Sequence, residues 1–141
     1  MKYNVNVYQV VLTEERILIN STRNAFSRGM LGIIPSKEVF ESEYKRVISF
    51  EFNDERYSEN DTMKFCEECF KILNFIEEID NCKEVSNFTV HDTFRSLSVG
   101  DILEINGELY IVKIFGFGKY LDEINSSENT SPDVDKQFLS Q

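Results

Sequence analysis

Residues 3–12 alternate with a period of two. Tyr3, Val5, Val7 and Gln9 fall on one side, and Asn4, Asn6, Tyr8 and Val10 on the other. Strict alternation with β-branched residues predicts a strand. Thr13 to Arg16 predicts a turn, and residues 16–20 a short return strand with Ile17 and Ile19 on one face. Ser21 fits a helix N-cap for residues 22–30, with Gly29 and Gly32 limiting the length. Ser36, just after Pro35, is placed to cap a second short helix over residues 37–43. Residues 44–53 predict a long strand whose apolar parity, Ile48, Phe50 and Phe52, faces the core.

A polar loop over residues 53–60 precedes the main helix, expected from Thr62 to about Ile79 with Asn60 or Asp61 as cap. Met63, Cys66, Cys69, Phe70, Leu73 and Ile76 recur at helical spacing, and Glu67 and Lys71 form an i,i+4 pair of opposite charge. Residues 81–93 read as irregular, anchored by Val85, Phe88 and Val90. The clearest local signal follows. Ile102, Leu103 and Ile105 make a short strand, and Asn106-Gly107 is the dipeptide that a type I′ hairpin turn requires. Residues 109–117 return as its partner, with Gly116 and Gly118 marking a bulge or bend.

Together these elements predict an α+β fold: a mostly antiparallel β-sheet packed by one main helix, with a C-terminal β-hairpin. A single domain is expected over residues 1–123. Residues 124–141, poor in apolar side chains, are expected to form a flexible, disordered acidic tail.

The hairpin stretch also carries a family resemblance. Ser96-Leu97-Ser98-Val99-Gly100-Asp101, then a strand, a turn, the Tyr110-Ile111-Val112 strand and Phe115-Gly116-Phe117, resembles the YodL-like domain. Tyr8-Gln9, residues 44–52 and residues 70–74 resemble other parts of that family's pattern more loosely. The resemblance spans roughly residues 3–120 and is sharp over 94–117. It implies a module of phages and mobile elements of Firmicutes, found beside antirestriction functions. It brings no catalytic residues with it.

Charge narrows the partner. The chain of 141 residues has a formal net charge of −10. Residues 1–50 are net +2, whereas residues 51–80 are net −7. Such a field repels nucleic acid and favours a basic protein surface. Glu55, Glu59, Glu67, Glu68, Glu77, Glu78 and Asp80 are the expected partner-binding residues. The expectation is a non-catalytic interaction protein of a phage or mobile element. It would inhibit a host nuclease defence, as an anti-CRISPR or antirestriction factor, by occupying a nucleic-acid-binding surface. Direct nucleic-acid binding would need Arg16, Arg23, Arg28, Lys37, Lys45 and Arg46 to form one patch. The alternative is a small-ligand or nucleotide-binding module, conceivably a hydrolase of a signalling molecule, using Arg95, Tyr110 and Lys113.

The remaining chemistry has ordinary readings. Cys66, Cys69, Cys82 and His91 have the ligand types of a zinc site, but Cys66-x-x-Cys69 lies within an amphipathic helix rather than on a tight turn. They read as core thiols, and neither a metal nor another cofactor is expected. His91-Asp92 lacks a nucleophile, because Ser96 and Ser98 suit turn and cap roles. Gly100 is expected at positive φ, with Asp101 capping nearby amides and pairing with Arg95. The sequence shows neither a membrane-spanning apolar run nor a signal peptide, and a cytoplasmic location is expected.

Overall fold

The computed structural model describes residues 2–53, 62–74 and 82–126. The fold is α+β. Six antiparallel strands form one sheet in the order β3-β2-β1-β4-β5-β6. These are β1 (Lys2–Val10), β2 (Tyr44–Asn53), β3 (Val85–Val90), β4 (Ile102–Ile105), β5 (Glu108–Val112) and β6 (Phe117–Lys119). The helices are α1 (Asn20–Met30), α2 (Lys37–Glu43), α3 (Thr62–Asn74) and α4 (120–126), with a 3-10 turn at Arg16–Leu18.

The strand parities explain the layering. Tyr3, Val5 and Val7 of β1 join Phe50 and Phe52 of β2, and Leu103, Ile105, Tyr110 and Val112 of the hairpin, on one face. That face receives Phe65, Cys66, Cys69, Ile72 and Leu73 of α3. Phe65 stacks on Tyr3 with ring centroids 4.0 Å apart and tilts against Phe52 at 5.0 Å. Burying such a ring contributes about 2–3 kcal/mol. The opposite parity, Val10, Tyr44, Ile102 and Ile111, packs with Ala25 of α1 and Tyr120 and Ile124 of α4. The sequence predicted α1 and α2 as short helices but only one helix packing the sheet; their place on its second face, with α4, is the addition.

β2 serves both layers because its register shifts. Val7 pairs with Ile48 and Tyr8 with Arg46, leaving Val47 as an extra residue. The bulge moves Tyr44 to the α1 side while Ile48, Phe50 and Phe52 stay with α3. The Asn106-Gly107 turn has positive φ at both residues, 51° and 87°. Asn106 also ties the hairpin to β1, its Oδ1 accepting from the Asn4 amide at 2.8 Å.

Several local expectations change. Residues 16–18 form a 3-10 turn instead of a return strand, and α1 begins at Asn20 without a side-chain cap. Ser36 does cap α2, its Oγ accepting from the Val39 amide at 3.2 Å. Residues 85–90, expected to be irregular, are β3, and residues 109–117 divide at a turn where the Lys113 amide donates to Gly116. Ile124 is buried in the second core, so the expected boundary after residue 123 falls inside α4. The expected tail beyond it, from residue 127, lies outside the described residues. Among the described residues, no helix is long and apolar enough to cross a membrane.

Candidate functional site

The Arg95–Asp101 segment closes on itself and on β1. Gly100 has φ of 91°, and a Cβ there would lie 2.7 Å from the Gly29 backbone. Only glycine lets the hairpin base and the end of α1 approach so closely. The turn aims Asp101 inward, where it is 2% exposed. Arg95 grips it with a two-pronged contact, Nη2 to Oδ1 at 2.8 Å and Nη1 to Oδ2 at 3.1 Å. The Ser98 amide donates to Oδ2 at 2.8 Å, and Gln9 Nε2 at 3.0 Å. Gln9, fully buried, also donates to the Arg95 carbonyl and accepts the Arg95 amide. The Arg95 guanidinium sits 5.1 Å from the Phe26 ring centroid. The Tyr44 hydroxyl donates to the Gly100 carbonyl at 2.6 Å.

Burial pushes the Asp101 carboxyl above its ordinary value; Arg95, the Ser98 amide and Gln9 act in the opposite direction and offset only part of this. Both carboxylate oxygens are occupied by the protein's own donors. The constellation therefore holds the segment in place. Gln9 is the member that strand parity put on the correct face without indicating its task; an amide on an otherwise apolar parity was the available signal.

Of the other expected ligand residues, Tyr110 is buried on the α3 face, its hydroxyl donating to Glu108 at 2.8 Å. Lys113 pairs with Glu123 of α4 at 2.9 Å. Arg95, Tyr110 and Lys113 thus have separate internal partners. Of the acidic set, Glu67 is exposed and Glu68 half-buried on α3, where Lys64 and Lys71 balance them. Glu67 and Lys71 form no ion pair with each other. Glu55, Glu59, Glu77, Glu78 and Asp80 lie outside the described residues.

The thiols and the histidine are also separated. Cys66 and Cys69 are fully buried against the sheet. Burial pushes the Cys66 thiol up to about 12 and raises Cys69 well above its usual value. Cys82 donates to Glu84 at 3.2 Å. His91 Nε2 lies 2.7 Å from Ser49 Oγ on the exposed side of β2, so the hydroxyl it meets is neither Ser96 nor Ser98. Asp92 accepts from the Thr93 amide at 2.7 Å. The basic residues are spread over several elements. Arg16 donates from Nε to the Val11 carbonyl, Arg23 and Arg28 stand on α1, Lys37 opens α2, and Lys45 and Arg46 lie on β2.

Two open surfaces border the end of α1. At one, Ile114 lies over Gly32, where an added Cβ would meet its Cδ1 at 2.8 Å. This contact joins the loop bearing Leu31, 70% exposed, to the turn bearing Phe115, 91% exposed. Met30, Ile33 and Ile114 are exposed beside them. The other is a cleft of about 640 Å³ between α1 and α2, floored by Ala25, Ile34, Val39 and Ile124 and edged by Arg28, Glu38 and Glu43. Comparison with protein-family models, curated proteins and solved structures finds no match for the chain.

Proposed function

We propose that the chain is a non-catalytic interaction protein that docks on a macromolecular partner. One observation carries this reading: the charged groups around the hairpin base are committed to one another, while large apolar side chains project uncovered. Asp101 is held by Arg95, and Glu123 by Lys113. Leu31, Ile114 and Phe115 meanwhile stand together in solvent. Contiguous exposed apolar groups on a folded domain mark a contact surface.

The net charge of −10 favours a basic partner. A nuclease or other nucleic-acid-binding protein presents such a surface, and the resemblance to the YodL-like domain supplies the setting of phage or mobile-element anti-defence. The partner contact then has an apolar centre at Leu31 and Phe115, while Glu67 and Glu68 stand on α3, across the sheet from α1. Cleavage of DNA by a panel of purified CRISPR and restriction nucleases tests this, with and without the protein. Inhibition of one member is expected, weakening with added salt and falling at least about tenfold in Leu31→Ser/Phe115→Ser. If inhibition ignores salt and survives Glu67→Lys/Glu68→Lys, occupation of a nucleic-acid surface by carboxylates is wrong. If no nuclease is inhibited, the anti-defence setting is wrong.

A further inference from the structure

The cleft between α1 and α2 adjoins that contact through Gly32 and Ile33 and has a chemistry of its own. The two helices run antiparallel, joined by residues 31–36. The Thr22 hydroxyl donates to Glu43 Oε2 at 2.8 Å, setting the start of α1 beside the end of α2. The volume of about 640 Å³ suits a small organic ligand. Ala25, Ile34, Val39 and Ile124 give an apolar floor.

The charged groups sit at the two ends. Glu43 marks one. Arg28 lies six residues beyond Thr22, hence about 9 Å along the helix axis at 1.5 Å per residue. Glu38 lies five residues before Glu43 on the facing helix, and so stands at nearly the same level as Arg28. Arg28 and Glu38 form no ion pair with each other. A donor and an acceptor thus both line the opening, one from each helix.

We infer that this cleft binds the free amino terminus of a short apolar peptide. Thr22 occupies one site on the Glu43 carboxylate, which has further lone pairs to receive an ammonium group. At the other end Arg28 donates to a peptide carbonyl and Glu38 accepts a peptide N–H, the two groups a backbone amide presents. Three extended residues span about 10 Å, which matches the separation of the two ends. The edge carries two carboxylates and one guanidinium, and a single ammonium balances it. A free peptide carboxylate would meet Glu38 and is disfavoured.

The test is an NMR titration of the full ¹⁵N-labelled chain with tri-leucine amide, its N-acetylated form, and tri-leucine with a free carboxylate. Shifts are expected at the amides of Ala25, Gly29, Gly32 and Val39. N-acetylation should weaken binding about tenfold or more, and the free carboxylate should weaken it to a lesser degree. Glu43→Gln keeps an acceptor for Thr22 and should abolish the preference for the free amine. Equal binding of the acetylated peptide, shifts away from the cleft, or no shifts at millimolar peptide would each overturn the inference. The three peptides applied to the native chain decide it even if the variant fails to fold.

Discussion

The Gly100–Asp101 junction and the Ile114–Phe115 turn lie at the same end of the β4–β5 hairpin, and both touch the end of α1. Gly100 packs on Gly29 and Ile114 on Gly32. Their chemistry is reversed from the usual arrangement. The first buries a carboxylate, a fully buried glutamine and a two-pronged ion pair. The second exposes an isoleucine and a phenylalanine. Buried polar groups satisfied by one another fix a conformation, and exposed apolar groups do little for folding. The contrast separates what the chain needs to be itself from what it has available for something else.

The largest expected effect is at the junction. Gly100→Ala meets both a left-handed φ and backbone at 2.7 Å, and should cost about 3–5 kcal/mol. Gly107 has nearly the same φ, 87°, with nothing within 4 Å, so Gly107→Ala should cost only about 1 kcal/mol. Urea unfolding of the two variants isolates the cost of close approach; equal losses would show that φ alone matters. Asp101→Ala should come next, at about 3 kcal/mol, because it strands the buried Gln9 amide and the Ser98 N–H.

Tyr44→Phe should cost about 1 kcal/mol at neutral pH through loss of the bond to Gly100. It has a pH signature too. Burial, with Asp101 and Tyr120 nearby, raises the Tyr44 phenol well above its usual value. An acid whose pKa is raised by folding gives stability that is full below its unfolded pKa and is lost as pH climbs toward the folded one. Stability should therefore fall above about pH 10, and fall less steeply in Tyr44→Phe. Leu31→Ser and Phe115→Ser should have the smallest effect, within about 0.5 kcal/mol, since both side chains are already in solvent. A loss comparable to that of Asp101→Ala would erase the distinction between the two regions.

Much of this architecture is written in short-range pattern. The Tyr44–Asn53 strand, the Ser36 cap and the Asn106-Gly107 turn follow from alternation, a hydroxyl before a helix, and a dipeptide tolerant of positive φ. The Arg95–Asp101 pair was legible because both residues flank one turn. β3 was not. Its Asn87 takes φ of 54° and its register against β2 shifts, so Phe88 and Val90 no longer mark a regular alternation. The 3-10 turn at Arg16–Leu18 displays Ile17 and Leu18 in solvent, where hydrophobicity misleads a pattern built on burial. The cleft depends on Ile124 meeting α1 and α2 from far along the chain, and no local spacing encodes such a meeting. The junction's link to Gln9 spans 86 positions and is invisible for the same reason.

Val47 shows how much can rest on one supernumerary position. Were it drawn into the ladder opposite Tyr8 instead, the alternation upstream would invert, and the Tyr44 ring would swing through the plane of the sheet to the α3 side. The α1 end would then lose its tether to the hairpin although every side chain used in that tether survived. Register, not the identity of any one side chain, sets which layer Tyr44 joins.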